Sequence, residues 1–340
     1  MKIPKLLCSF YIFFDPLLVA FFIGIYQRVY KICLLLGRGI LEILLLFNPS
    51  LKGEGMKTIV VGDMHQKQHP ILSIVDNAIR FLGARRVVLL VDYCDDYSPN
   101  RDTTDAKKLL EGLEFQADWI DRTRGRGIQV DVLLGNHDMQ YLIERQGPGT
   151  NLNCIIPVQR LLAQMNVRMA TAVDGWLATH AGLTSQFANV VLEIDSNAAR
   201  SDRPSYSAES LSEQLNATLD HALSEMFERG NDEELLLLNL CGPGRGGACI
   251  PGPLWASTSE LTLLGIPRLN QIIGHTPVYS VRELEEQGFC GERYMACDTF
   301  STDFDFRPLG DGSILLTDDE MHEMRAVTPE EVDCAWAGAY

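Results

Sequence analysis

From Met56 onward, two rhythms alternate along the chain. Thr58–Val61 is a short apolar run that ends in Gly62-Asp63, and Val87–Val91 and Val130–Leu134 repeat the form. Short apolar runs bounded by turn residues predict buried strands of a largely parallel sheet. Between them, Ile71, Ile74, Val75, Ala78, Ile79 and Leu82 recur at helical spacing and predict a helix over 70–82. Leu109, Leu110, Leu113, Phe115, Trp119 and Ile120 predict a second, capped by Asp102 or Thr104 and running to about Thr123. A third is expected over 151–170, around Val158, Leu161, Leu162 and Met165. Trp176–Thr179, Gln271–Ile273, Tyr294–Cys297 and Ser313–Thr317 read as further strands. Strand and helix alternating with short links predict an α/β fold.

Two stretches break the rhythm. Residues 184–253 hold a Ser-rich segment, a helix expected over 207–229, the run Glu233–Cys241 and the Gly- and Pro-rich run Gly242–Gly247. They are expected to form an inserted helical and loop cap beside a site. The Gly-rich run lacks the Gly-Lys-Ser/Thr ending of a P-loop and reads as a loop. The other stretch is 1–55. Leu6–Tyr26 is almost entirely apolar, long enough for the roughly 20 residues of a membrane span, and is interrupted by Asp15 and Pro16. It is either a membrane anchor or a misread region upstream of a start at Met56. The second reading rests on Lys52-Gly53-Glu54-Gly55, whose purine-rich codons fit a bacterial ribosome-binding site. The expected organisation is thus a hydrophobic segment 1–55, one domain over 56–325 and a tail over 326–340. The expected location is cytoplasmic, with a membrane partner only if 1–55 is translated.

Composition narrows the function. The hydrophobic share of 46% and charged share of 22% are those of a globular protein. Against 29 Lys and Arg stand 45 Asp and Glu, a net charge of −16, which argues against nucleic-acid binding through clustered cations. Nine cysteines with no CxxC spacing read as reduced thiols of a cytosolic protein.

The chemistry lies where the apolar runs end. Gly62-Asp63-Met64-His65, Asp92-Tyr93-Cys94-Asp95, Gly135-Asn136-His137-Asp138, His180-Ala181-Gly182 and Gly274-His275-Thr276-Pro277 each place metal-ligating residue types at an expected strand end. Asp63 and His65 are two apart and share a face of an extended chain. Asp92 can bridge two ions through its two oxygens, Asn136 offers a carbonyl oxygen, and His180 and His275 offer imidazoles. Two divalent ions about 3.5–4 Å apart would acidify a bridging water for attack on phosphorus. His137, adjacent to Asn136, is the expected general acid, and Asp95 the carboxylate that orients it and raises its pKa. Mn is the expected metal, with Fe, Zn or Mg as alternatives for such a shell. Four of the seven histidines fall in these motifs; His69, His221 and His322 lack such a context and read as solvated.

As an ordered set, GDMHQ, VDYCDDY, GNHD, HAGL and GHTP resemble the calcineurin-like metallophosphoesterases, in particular the phosphoprotein-phosphatase branch, over roughly residues 57–300. The His-Ala-Gly and Gly-His-Thr-Pro forms, with Pro253-Leu254-Trp255 between them, are also similar to the symmetrical dinucleoside tetraphosphatases. The resemblance implies a central β-sandwich flanked by helices. It implies one ion held by Asp63, His65 and Asp92, and a second held by Asp92, Asn136, His180 and His275. One departure stands out: where the family has Asp-Arg-Gly, this chain has Asp95-Asp96-Tyr97, so the phosphate-clamping Arg is gone. Arg101 in the same loop and Arg245 in the Gly-rich run are the candidate replacements for substrate binding. The expected activity is hydrolysis of a small phosphorylated substrate or a phosphopeptide. The alternatives are a dedicated dinucleoside-polyphosphate hydrolase and a non-catalytic metal-binding module.

Overall fold

The computed structural model describes residues 56–95, 104–194, 206–288, 291–303 and 305–336. Arg101, Asp96, Tyr97 and the segment 1–55 lie outside them. The first sheet has the order β10-β9-β1-β2-β3. Its strands are β1 (Lys57–Asp63), β2 (Arg86–Val91), β3 (Gln129–Val132), β9 (Ile314–Asp318) and β10 (Glu323–Val327). β1, β2 and β3 are parallel, in the register Val60 to Val88 and Val88 to Asp131, while β9 and β10 close the far edge antiparallel. The second sheet has the order β4-β5-β6-β8-β7, from β4 (Ala170–Val173), β5 (Trp176–Thr179), β6 (Gln271–Pro277), β7 (Arg282–Glu283) and β8 (Tyr294–Asp298). Here β5, β6 and β8 are the parallel strands.

Helices flank the sheets. In α1 (Gln68–Leu82), Ile71, Ile74, Val75, Ala78 and Ile79 are the buried stripe, and Gly83 in the left-handed region ends it. In α2 (Ala106–Gly125) the cap is Asp105, whose carboxylate accepts from the Lys108 amide at 2.8 Å. Asp102 or Thr104 was the expectation, but the carboxylate one residue before the first helical turn satisfies its amides. The helix expected over 151–170 is shorter. A 3₁₀ turn leads into α4 (Ile155–Met165), Asn166 stops it in the left-handed region, and Ala170 already pairs with Thr179 in β4–β5.

Within 184–253 lie α5 (Ser185–Val190), α6 (Ala208–Arg229) and α7 (Glu233–Leu238). The helix α6 lies on β4 and β5, and its Asn216 side chain accepts the amides of Met169 and Ala170. After α8 (Thr258–Leu264) the chain enters β6. The two sheets meet where β1 ends. A Cβ on Gly62 would strike the carbonyl oxygen of Cys297, so the backbones of β1 and β8 touch there and only glycine fits. The carboxyl ends of β1, β2, β5, β6 and β8 thus share one edge of the molecule, where ligands of parallel sheets are held.

Candidate functional site

The six residues expected to ligate metal come together at that edge. Asp63 ends β1, His65 and Asp92 follow β1 and β2, Asn136 opens α3 (Asn136–Leu142), His180 follows β5, and His275 lies within β6. Backbone conformation sets the place apart. His65, Gln66, Asp92, Asp95 and His275 all have positive φ, at 40°, 61°, 49°, 52° and 62°. Such conformations cost on the order of 1 kcal/mol or more each and collect at functional sites.

The donor atoms converge. His180 Nε2 lies 2.7 Å from Asn136 Oδ1, 2.9 Å from His275 Nδ1 and 3.4 Å from Asp92 Oδ2. Asp92 Oδ2 also lies 3.9 Å from His65 Nε2. The other oxygen, Oδ1, accepts the His137 amide at 3.0 Å. The sequence let Asp92 bridge two ions through its two oxygens; here Oδ2 lies nearest to both groups. One oxygen is fixed by the backbone and the other faces both. Two sets of potential ligands, His65-Asp92-His137 and Asp92-His180-His275, each bring their donor atoms within 4.8 Å of one another. They share Asp92; the first includes His137, the expected general acid, and neither includes Asp63.

Glycines make this approach possible. A Cβ on Gly135 would strike Asp92 Oδ1, and one on Gly274 would strike Asp63 Oδ1. Gly274 sits where the pairing of β6 with β8 shifts register between Ile273 and Pro277. This irregularity turns the His275 amide onto both oxygens of Asp63, at 3.1 and 3.0 Å.

The electrostatics suit divalent metal. His65, His180 and His275 are pushed well below the ordinary imidazole range, chiefly by burial, and so present neutral nitrogens. Asp63 is pushed well up by burial, then by Asp298 and Asp92. Burial likewise raises Asp92 to about 7 and Asp298 to about 6. His180 Nδ1, His275 Nε2 and Asp298 Oδ1 are buried without a hydrogen-bond partner. Crowded carboxylates, neutral imidazoles and orphaned donors make a site short of positive charge, and oxygen and nitrogen ligands of this kind fit a divalent ion.

Asp95 holds the expected general acid. Its Oδ2 lies 3.4 Å from His137 Nδ1 and accepts the Thr150 hydroxyl at 3.2 Å, while Oδ1 accepts the Tyr141 hydroxyl at 2.6 Å. Burial works against the charged form of His137. Asp92 and then Asp95 outweigh it and raise the imidazole to about 9. Asp138 supports both neighbours: Oδ1 accepts the amides of Tyr93 and Cys94, each at 3.0 Å, and Oδ2 that of Gly135 at 3.1 Å.

Of the candidate clamps, Arg245 reaches the rim. Its guanidinium donates to Thr276 Oγ1 at 2.6 Å and to the His275 carbonyl at 3.5 Å. Arg101 lies outside the described residues. His69, His221 and His322 are exposed, as expected. Sequence reading gives no role to Asp138 or to Lys67, whose buried ammonium donates to the His65 carbonyl at 3.2 Å, and it keeps Asp298 outside the metal shell as a possible turn cap. Asp298 had one legible signal, its place at the end of an apolar strand.

No family profile and no curated protein matches the sequence. Among solved structures, a cold-active protein-tyrosine phosphatase of a psychrophilic Shewanella is similar at 15% identity and a TM-score of 0.44, over 81% of each chain. A candidate diadenosine tetraphosphatase is similar at 13% identity and a TM-score of 0.36, over 83% of this chain and 95% of that one. At those values the functional reading rests on the site's own residues and on their ordered motifs. The chain resembles the calcineurin-like phosphoesterases. Among the described residues no helix is long and apolar enough to cross a membrane.

Proposed function

We propose that residues 56–325 form a metal-dependent phosphohydrolase acting on phosphate esters or phosphoanhydrides. The observation that carries the reading is the convergence of Asn136, His275 and Asp92 on His180, joined through Asp92 Oδ2 to His65. Asp63, His65 and Asp92 would hold one ion, and Asp92, Asn136, His180 and His275 a second. Bound there, divalent ions would neutralise phosphate oxygens and acidify a water.

The chain's own residues supply the rest. Asp92 fixes the His137 backbone while Asp95 orients the His137 ring. A ring whose protonated form is favoured by its Asp95 partner can give its proton to the departing alkoxide. Asp95 is itself anchored by Tyr141 and Thr150, so the imidazole is aimed before substrate arrives. Arg245 at the rim would bind phosphate oxygens in place of the family's missing Arg.

The test is turnover by the full chain supplied with Mn²⁺, on p-nitrophenyl phosphate, its diester and diadenosine tetraphosphate. Hydrolysis is expected, and His137→Gln should lower it by roughly 10²–10⁴-fold with metal content unchanged. Bound metal without turnover on any substrate would make the chain a binding module instead. A fully active His137→Gln would remove the acid assignment.

A further inference from the structure

Asp298 is a buried carboxylate for which the proposed ligand set has no use. It ends β8, 1% exposed, against the end of β1. The missing Cβ of Gly62 would sit 2.9 Å from the Asp298 Cα, so the two strands deliver Asp63 and Asp298 side by side. The Asp298 oxygens are treated unequally. Oδ2 accepts the Ser301 hydroxyl at 2.9 Å, while Oδ1 is buried with no hydrogen-bond partner. Lys67 and Arg245 act on it through space, but Lys67 donates to the His65 carbonyl and Arg245 to Thr276. A buried carboxylate oxygen with no donor, set beside a second carboxylate, is costly unless a cation lies between them.

We propose that Asp298 is a positioning carboxylate of the metal site, with Oδ1 engaging the divalent ion held by Asp63, His65 and Asp92, directly or through one water. Ser301 holds Oδ2 so that Oδ1 stays turned to the ion. The inference rests on the metal-dependent reading above and adds a residue to one of its two ion positions. It also explains why the β1 and β8 backbones are brought into contact at Gly62: the contact places two carboxylates on one cation.

Calorimetric titration of metal-free full-length protein with Mn²⁺, together with thermal unfolding, tests this. In Asp298→Asn one ion should bind about 10–100-fold more weakly, the range for loss of an outer partner, while the other keeps its affinity. The metal-free variant should melt no lower than the parent, because the change removes a buried carboxylate oxygen that has no hydrogen-bond partner. A purely structural Asp298 predicts the reverse, a lower metal-free melting temperature with unchanged Mn²⁺ affinity, and that result overturns the proposal. Ser301→Ala should weaken the same ion to a smaller degree. If Asp298→Asn does not fold, unchanged affinity in Ser301→Ala is the overturning result. A parent chain that binds no Mn²⁺ would instead sink the metal-dependent reading itself.

Discussion

The two sheets build their halves of the site in different ways. On the first, the loop after β2 and the start of α3 hold each other. Asp138 accepts three amides from them, Asp92 accepts the His137 amide, and Asp95 is tied to Tyr141 and Thr150. On the second, His180 and His275 each keep a buried nitrogen without a hydrogen-bond partner, and the His275 amide leans across on Asp63. The first half is pre-organised by its own hydrogen bonds, and the second leans on the first through the His275 amide. Hydrogen-bonded scaffolds of this kind raise ligand affinity by fixing orientation in advance.

The sharpest way to break that picture is through the residue the halves share. Asp92→Asn should bring turnover to background. It should weaken both ions by more than the about 10–100-fold typical of an outer partner, because the remaining oxygen cannot serve both groups with the same charge. Mn²⁺ titration checks it. If only one ion is weakened, Asp92 does not join the halves.

A smaller effect separates the halves. Asp138→Asn turns one acceptor of the scaffold into a donor facing an amide, at a cost of about 1–3 kcal/mol. The melting temperature should fall with or without Mn²⁺. Gly274→Ala instead puts a methyl group against Asp63 and pushes apart the hydrogen bonds from the His275 amide to both Asp63 oxygens. Mn²⁺ affinity should suffer more than metal-free stability. Equal responses of the two variants in both measurements would remove the distinction drawn between the halves.

Legibility in the sequence follows the same line. Asp63, His65, Asp92, Asn136, His180 and His275 could be read because each sits beside an apolar run, and a strand end is a local feature. Parallel β1, β2 and β3 were legible for the same reason. What could not be read acts across the fold. Asp138 serves amides 44 and 45 residues away, and Asp298 matters because β8 lies on β1. Ala170–Val173 is a strand because it pairs with β5; the sequence pattern assigns Ala170 to the helix before it and gives 171–173 no element. The division of labour within Asp92 was also invisible, since which oxygen meets an amide depends on where α3 begins.

The smallest expected effect lies at the rim. Arg245 rides on a Gly-rich loop fastened by Glu260: Oε1 accepts the Gly244 amide at 2.9 Å, and Oε2 accepts the Ser257 amide and hydroxyl at 2.9 and 2.8 Å. Partial burial opposes the charged form, but the Ser257 and Gly244 amides outweigh it and hold the carboxyl below its usual range. The sign follows directly. A depressed folded-state pKa stabilises the fastening above the unfolded value of about 4.3, and the support is lost as pH falls through the lower folded value. Arg245 itself is exposed and hydrogen-bonded to Thr276 and, more weakly, to the His275 carbonyl, so its removal takes away no proposed metal ligand. Arg245→Ala should raise KM for a phosphate ester by about tenfold, the 1.4 kcal/mol scale of one charge-assisted hydrogen bond. Mn²⁺ affinity and melting temperature should stay at parent values. Glu260→Gln should give a weaker form of the same KM change, because the loop keeps its Arg but loses its fastening. An unchanged KM in Arg245→Ala would return the clamp to another cation, and loss of Mn²⁺ in that variant would place the loop inside the metal site rather than at its edge.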